Sequence, residues 1–150
     1  MGSYVNSHLD PNERIIYQSR LHWIIYLGPV VIVGVGLVLA VPGAPGLSAA
    51  GGAAVLALGL VSILAAWVRQ ISSEFAVTDK RVIIKTGFLS RRTIELNMSK
   101  VESVQVDQGL LARLLNYGTI TVIGTGGTRE PFSMIDDPMS FRHAVQQEQG

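Results

Sequence analysis

The positions of apolar and polar side chains divide the chain into three stretches of different period. Glu13 to Arg20 is rich in β-branched and aromatic residues and reads as a strand after the turn signal Asp10-Pro11-Asn12. From Leu21 to Val68 there is no Asp, Glu, Lys or Arg. Beyond Arg69 the pattern alternates in short runs, Ile71 to Thr78, Arg81 to Thr86, Arg91 to Asn97, Val101 to Asp107, Thr119 to Ile123 and Glu130 to Met134, which predicts six further strands. Leu110, Leu111, Leu114 and Leu115 interrupt them at helical spacing, with an apolar face expected to plug a barrel. Asp137 as cap, Pro138 at the first helical position and Phe141, Ala144 and Val145 on one face predict a closing helix that ends near Gln147.

The charge-free stretch is long enough for two crossings of a bilayer, since ~30 Å of hydrocarbon takes about 20 helical residues. The expected spans are 21–41 and 47–68, separated by Pro42-Gly43-Ala44-Pro45-Gly46 as a tight reversal at 42–46. Trp23, Tyr26 and Trp67 are expected at one interface, as anchors. Arg14 and Arg20 before the stretch, and Arg69, Lys80, Arg81 and Lys85 after it, place both termini on the cytoplasmic side. A cleaved leader would start with a short basic region, whereas Asp10 and Glu13 precede this run and a second span follows it. Ile32, Gly36 and Ala40 in the first span and Ala49, Ala53 and Ala57 in the second recur at every fourth position, and the small residues Gly36, Ala40, Ala49, Ala53 and Ala57 suggest a packing seam. Gly28-Pro29 is expected to kink the first span near its cytoplasmic end.

Charge sharpens this picture. The formal net charge is +1, but residues 69–100 carry seven basic side chains against three acidic ones, while 101–150 carry three against six. The basic part lies next to the membrane in sequence, so Arg69, Lys80, Arg81, Lys85, Arg91 and Arg92 form a candidate rim for anionic lipid headgroups. There is no cysteine, which excludes disulfides and thiolate metal sites.

Several pieces of this pattern also resemble a known family. Glu13 to Trp23 with the hairpin, then Thr78-Asp79-Lys80-Arg81, Val101-Glu102-Ser103-Val104, Asn116-Tyr117-Gly118-Thr119 and Asp137-Pro138, are similar to the membrane-flanked type of bacterial pleckstrin-homology (PH) domain, formerly a domain of unknown function. The resemblance implies an α+β membrane protein: a transmembrane hairpin attached to a small PH-like β-barrel of about seven strands with a C-terminal capping helix. On this reading 1–12 is an N-terminal tail, 13–20 the first strand, 21–68 the hairpin, 69–147 the remainder of the domain and 148–150 a tail. The hairpin then fills the loop that carries the basic residues in eukaryotic PH domains that hold inositol phosphates.

Catalytic chemistry finds no constellation. Ser48 would need a histidine base, and His22 is expected at the opposite membrane face, ~30 Å away. His8, His22 and His143 lack metal-ligand spacing, so no metal, cofactor or catalytic residue is expected. Gly124 to Thr128 joins two strands, so it reads as a hairpin loop rather than a phosphate loop. Basic pairs without interleaved aromatics argue against nucleic acid. The expected function is a non-enzymatic, membrane-anchored binding module that tethers a protein or anionic-lipid partner at the cytoplasmic face of a bacterial inner membrane. The competing expectation is a structural subunit of a homo- or hetero-oligomeric membrane complex.

Overall fold

A computed structural model describes residues 5, 7–41, 49–87, 92–127 and 129–150. The reversal expected at 42–46, and Arg91 of the expected basic rim, lie outside the described residues, as does the side chain of Ala49. The chain forms two compact units, a sheet unit of Met1–His22 with Ser72–Gly150, and a helix unit of Trp23–Ile71.

In the sheet unit, β1 (Ile15–Ser19), β2 (Glu74–Thr78), β3 (Arg81–Thr86) and β4 (Arg92–Asn97) form one antiparallel sheet in that order. A second sheet holds β5 (Val101–Asp107), β6 (Tyr117–Gly124) and β7 (Arg129–Asp136). The strand before the charge-free stretch therefore pairs with the strand after it, Ser19 opposite Phe75 and Tyr17 opposite Val77. A bridge between Leu21 and Ile135, with Asp136 N–H donating to Arg20 O at 2.9 Å, ties the end of β1 to β7.

The alternation of β2 explains where the core lies. Phe75 and Val77 stand opposite Ile84 and Val82, all buried, and the Phe75 ring meets Phe132 of the second sheet edge-on at 5.9 Å. That face is the interior between the sheets. The other face is covered too: Ala76 and Ile83 pack with fully buried Val5, and Leu9 and Ile15 close over them. The N-terminal residues expected to be a loose tail thus supply part of a second small core. A bulge between Ile15 and Tyr17 lets β1 serve both faces, with Ile15 toward Val5 and Tyr17 against Phe141.

Two helices complete the unit, α3 (Leu110–Leu114) and α4 (Pro138–Gln149), numbered after the two helices described below. The cap of α4 is Asp137, whose side chain accepts from Ser140 N–H, and Pro138, Phe141, Ala144 and Val145 are buried. This helix packs on β1, β5 and β6.

The helix unit holds a 3-10 turn (Trp23–Tyr26), α1 (Leu27–Leu39) and α2 (Ala49–Ile71). One helix among the described residues, over Ala50–Ile71, is long and apolar enough to cross a membrane, whereas the apolar run Trp23–Leu39 is shorter. The first helix is shorter than the expected span of 21–41 for two reasons. Leu21 and His22 are held by the sheet unit, through the Leu21–Ile135 bridge and the His22 N–H on Met134 O. Pro29 falls in the first turn of α1, where its missing N–H costs no α-helical hydrogen bond, so Gly28-Pro29 lies where the 3-10 turn passes into α1. The second helix runs on past Val68 to Ile71 and takes in Arg69.

Candidate functional site

Within the helix unit the packing is inverted relative to a water-soluble helix pair. A Cβ added at Gly36 would stand 2.5 Å from Leu56 N, one at Gly59 would stand 2.8 Å from Val33 N, and one at Gly52 would collide with the backbone of Leu39 and Ala40. The two backbones therefore touch through glycines, and only glycine fits there. The large aliphatic side chains face outward: Val31, Val38, Leu58 and Val61 are 57%, 67%, 65% and 65% exposed. Gly36 and Ala40 of the expected seam are at this close approach, but Ala53 and Ala57 are exposed, and Gly52 and Gly59 take their place. Trp23 and Trp67 are exposed, while the Tyr26 hydroxyl donates to Gln70 Oε1 at 2.7 Å and joins the start of the first helical segment to the end of α2.

Of the six cations expected to share a rim, four belong to the described part of the sheet unit, and they fall at two places along it. Lys80 and Arg81 lie at the β2–β3 turn, Lys85 near the other end of β3, and Arg92 at the start of β4. Arg81 and Lys85 stand four positions apart on the strand, roughly 13 Å. Arg69 belongs to α2 in the helix unit and is exposed. Arg92 is exposed and forks onto both oxygens of Glu130 at 2.8 Å. Lys80 is exposed and Lys85 half-buried.

Arg81 is a structural residue. Its Nε donates to Glu13 Oε1 at 2.9 Å, one terminal nitrogen donates to Glu13 Oε2 at 2.7 Å and to His8 O at 3.0 Å, and the other reaches Glu95 at 2.9 Å. The Glu13 carboxylate is wholly buried and also accepts from the Thr78 hydroxyl at 2.7 Å and the Asp10 amide at 3.0 Å. Burial pushes this carboxyl up, but the hydrogen bonds from Arg81, Asp10 and Thr78 and the Arg81 charge outweigh it and hold the pKa down at about 2. The same contacts raise the Arg81 guanidinium, the hydrogen bonds to Glu13 being the largest cause. Nothing in the local sequence announces this clamp, because its partners are 68 residues apart.

A second cluster marks the place where the chain leaves the sheet unit. His22, the last residue of that unit, is buried, its ring stacks on Tyr117 at 5.3 Å, and its Nε2 lies 3.9 Å from Asp136. Ser19 Oγ donates to Asp136 O at 2.6 Å and the Tyr17 hydroxyl to Asp137 O at 3.3 Å. Burial, then the nearby Asp137 charge, raise the Tyr17 phenol. Next to this cluster stands α3, whose leucines do not fill a core as expected: Leu110, Leu111 and Leu114 are 91%, 70% and 80% exposed, and the helix buries only Ala112. His22 stood in the sequence as one polar residue at the border of the apolar stretch, the signal that could have assigned it to a tertiary contact.

Among the described residues no three His, Asp or Glu side chains converge as metal ligands. Arg81 pairs with Glu13 and Glu95, and Arg92 with Glu130. Two antiparallel sheets of four and three strands with a C-terminal helix make the unit an α+β domain. A sequence model of the bacterial PH domain matches residues 25–149, taking in both the helix unit and β2 to α4, and the chain belongs to that family. No curated protein and no solved structure matches it.

Proposed function

We propose that the chain is a non-enzymatic, membrane-anchored PH module. In this reading the helix unit crosses a bacterial inner membrane as a hairpin, both termini are cytoplasmic, and the sheet unit tethers a protein partner at that face. The observation that carries the reading is the inverted packing of α1 against α2, with glycines inside and valines and leucines outside. Water penalises that arrangement and hydrocarbon does not. The flanking positions Arg14, Arg20 and Arg69 support the orientation. A protein partner is favoured over headgroups because Arg81 and Arg92 are already engaged by Glu13, Glu95 and Glu130.

Two measurements on the full chain test this. After alkaline carbonate treatment of membranes the chain is expected in the pellet, and its recovery in the supernatant would remove the anchor. Cross-linking in intact membranes followed by mass spectrometry is expected to join the sheet unit to another polypeptide. Cross-links only between copies of this chain would replace tethering with the role of a structural subunit.

A further inference from the structure

We propose that α3 is a lipid-inserting tip: Leu110, Leu111 and Leu114 enter the interfacial layer of the bilayer and Arg113 meets a lipid phosphate there. The inference rests on the membrane-anchored reading above and adds a second point of contact to it. Its first support is the exposure of the three leucines on a helix that buries only Ala112. Neighbouring apolar side chains left in water on one projection mark an interaction site.

The tip is held firmly at its base. Arg113 N–H donates to Gly109 O at 2.8 Å and Leu115 N–H to Leu111 O at 3.0 Å. Asn116 then turns the chain with φ 58°, and its carbonyl accepts from Asp137 N–H at 3.0 Å. Gln108 Nε2 donates across the base of the helix to Tyr117 O at 2.8 Å. The leucines are thus presented by a fixed turn.

The position of that turn identifies the occupant. Tyr117 pairs with Asp136 and carries the His22 ring, and His22 is followed by Trp23, the first residue of the helix unit. The leucine tip therefore stands at the end of the sheet unit from which the chain leaves for the apolar helices. A short convex helix bearing leucines and one arginine has the chemistry of an interfacial insertion, apolar groups for the acyl boundary and a cation for phosphate. Asp107, exposed at the end of β5, is the nearest acid in sequence and lies before the helix, outside the leucine cluster. A protein partner of ordinary size needs about 800 Å² per side, more than five residues present.

The chain has no cysteine, so single thiols can carry an environment-sensitive fluorophore in the full chain reconstituted in liposomes. Leu111→Cys reports the tip, Leu58→Cys on the outward face of α2 reports the bilayer, and Thr125→Cys, exposed beyond the far end of β6, reports water. Spin-labelled lipids are expected to quench the first two several-fold more than the third, with the headgroup label more effective at Leu111 and the acyl label at Leu58. Quenching at Leu58 with Leu111 behaving like Thr125 would overturn the insertion and leave the membrane anchor intact. Quenching at neither would overturn both. A shielded Leu111 probe that lipid labels do not reach, and that becomes wet on diluting the protein in lipid, would assign the tip to a second copy and overturn the proposal.

Discussion

Removing Arg81 isolates one interaction of the sheet unit with a calculable consequence. In Arg81→Met the Glu13 carboxylate stays buried and loses both guanidinium hydrogen bonds, keeping Thr78 and the Asp10 amide. The fall of its pKa from the ordinary 4.5 to about 2 corresponds to about 3 kcal/mol at most. The Arg81 side chain is 19% exposed, and screening through that opening reduces the contribution to about 1–2 kcal/mol. Stranding the carboxylate adds its desolvation, for a total loss of about 2–4 kcal/mol. The double variant Glu13→Gln with Arg81→Met no longer buries a charge and is expected to recover at least about 1 kcal/mol. Hydrogen exchange of the full chain in detergent, read at the amides of Val82, Ile83 and Ile84 in β3, measures the opening of the sheet unit separately from the helix unit. The same clamp sets a pH dependence. Because the folded pKa is depressed, its stabilisation is complete above pH 4.5 and is lost as pH falls from there through about 2. Exchange at these amides that changes less than about twofold in Arg81→Met, or a double variant no more stable than the single one, would refute the assignment.

The helix seam and the cap of α4 give two further expectations. Gly59→Val drives a side chain into the backbone of Val33 and is expected to cost about 1–3 kcal/mol, while Ala53→Val on the exposed face changes stability by less than about 0.5 kcal/mol. Equal midpoints of thermal unfolding in detergent for both variants would contradict the seam. Asp137 holds φ 45° and caps Ser140 N–H, so Asp137→Ala is expected to cost about 2 kcal/mol by losing the cap and straining the backbone. Asp137→Asn keeps both abilities, and its α4 amides should exchange within about threefold of the parent chain.

How much of this was legible in the sequence depends on how local its cause is. The strands were, because alternation is a property of neighbouring residues, and so was α4, whose cap, proline and apolar face occur within nine residues of one another. The seam was half legible. A spacing of four marks Ala49, Ala53 and Ala57, whereas Gly52 and Gly59 stand seven apart, and only their contacts with Leu39, Ala40 and Val33 reveal them. The basic cluster looked like one surface because its members are close in sequence, yet antiparallel pairing sets Lys80 and Arg81 at one end of β3 and Lys85 and Arg92 toward the other, and Arg81 answers to Glu13 across 68 positions. The leucines of α3 were read as core by their spacing. A helix of five residues has one side to bury, and Ala112 occupies it.

The proposed hairpin puts the charge-free stretch in a membrane with the sheet unit on the cytoplasmic side. It is tested most directly by single cysteines in intact cells probed with a membrane-impermeant maleimide. Ala44→Cys reports the expected reversal and Gln147→Cys the exposed side of α4. Labelling is expected at position 44 from outside and at position 147 only after the membrane is broken. Labelling of both from outside, or of neither until lysis, would contradict it.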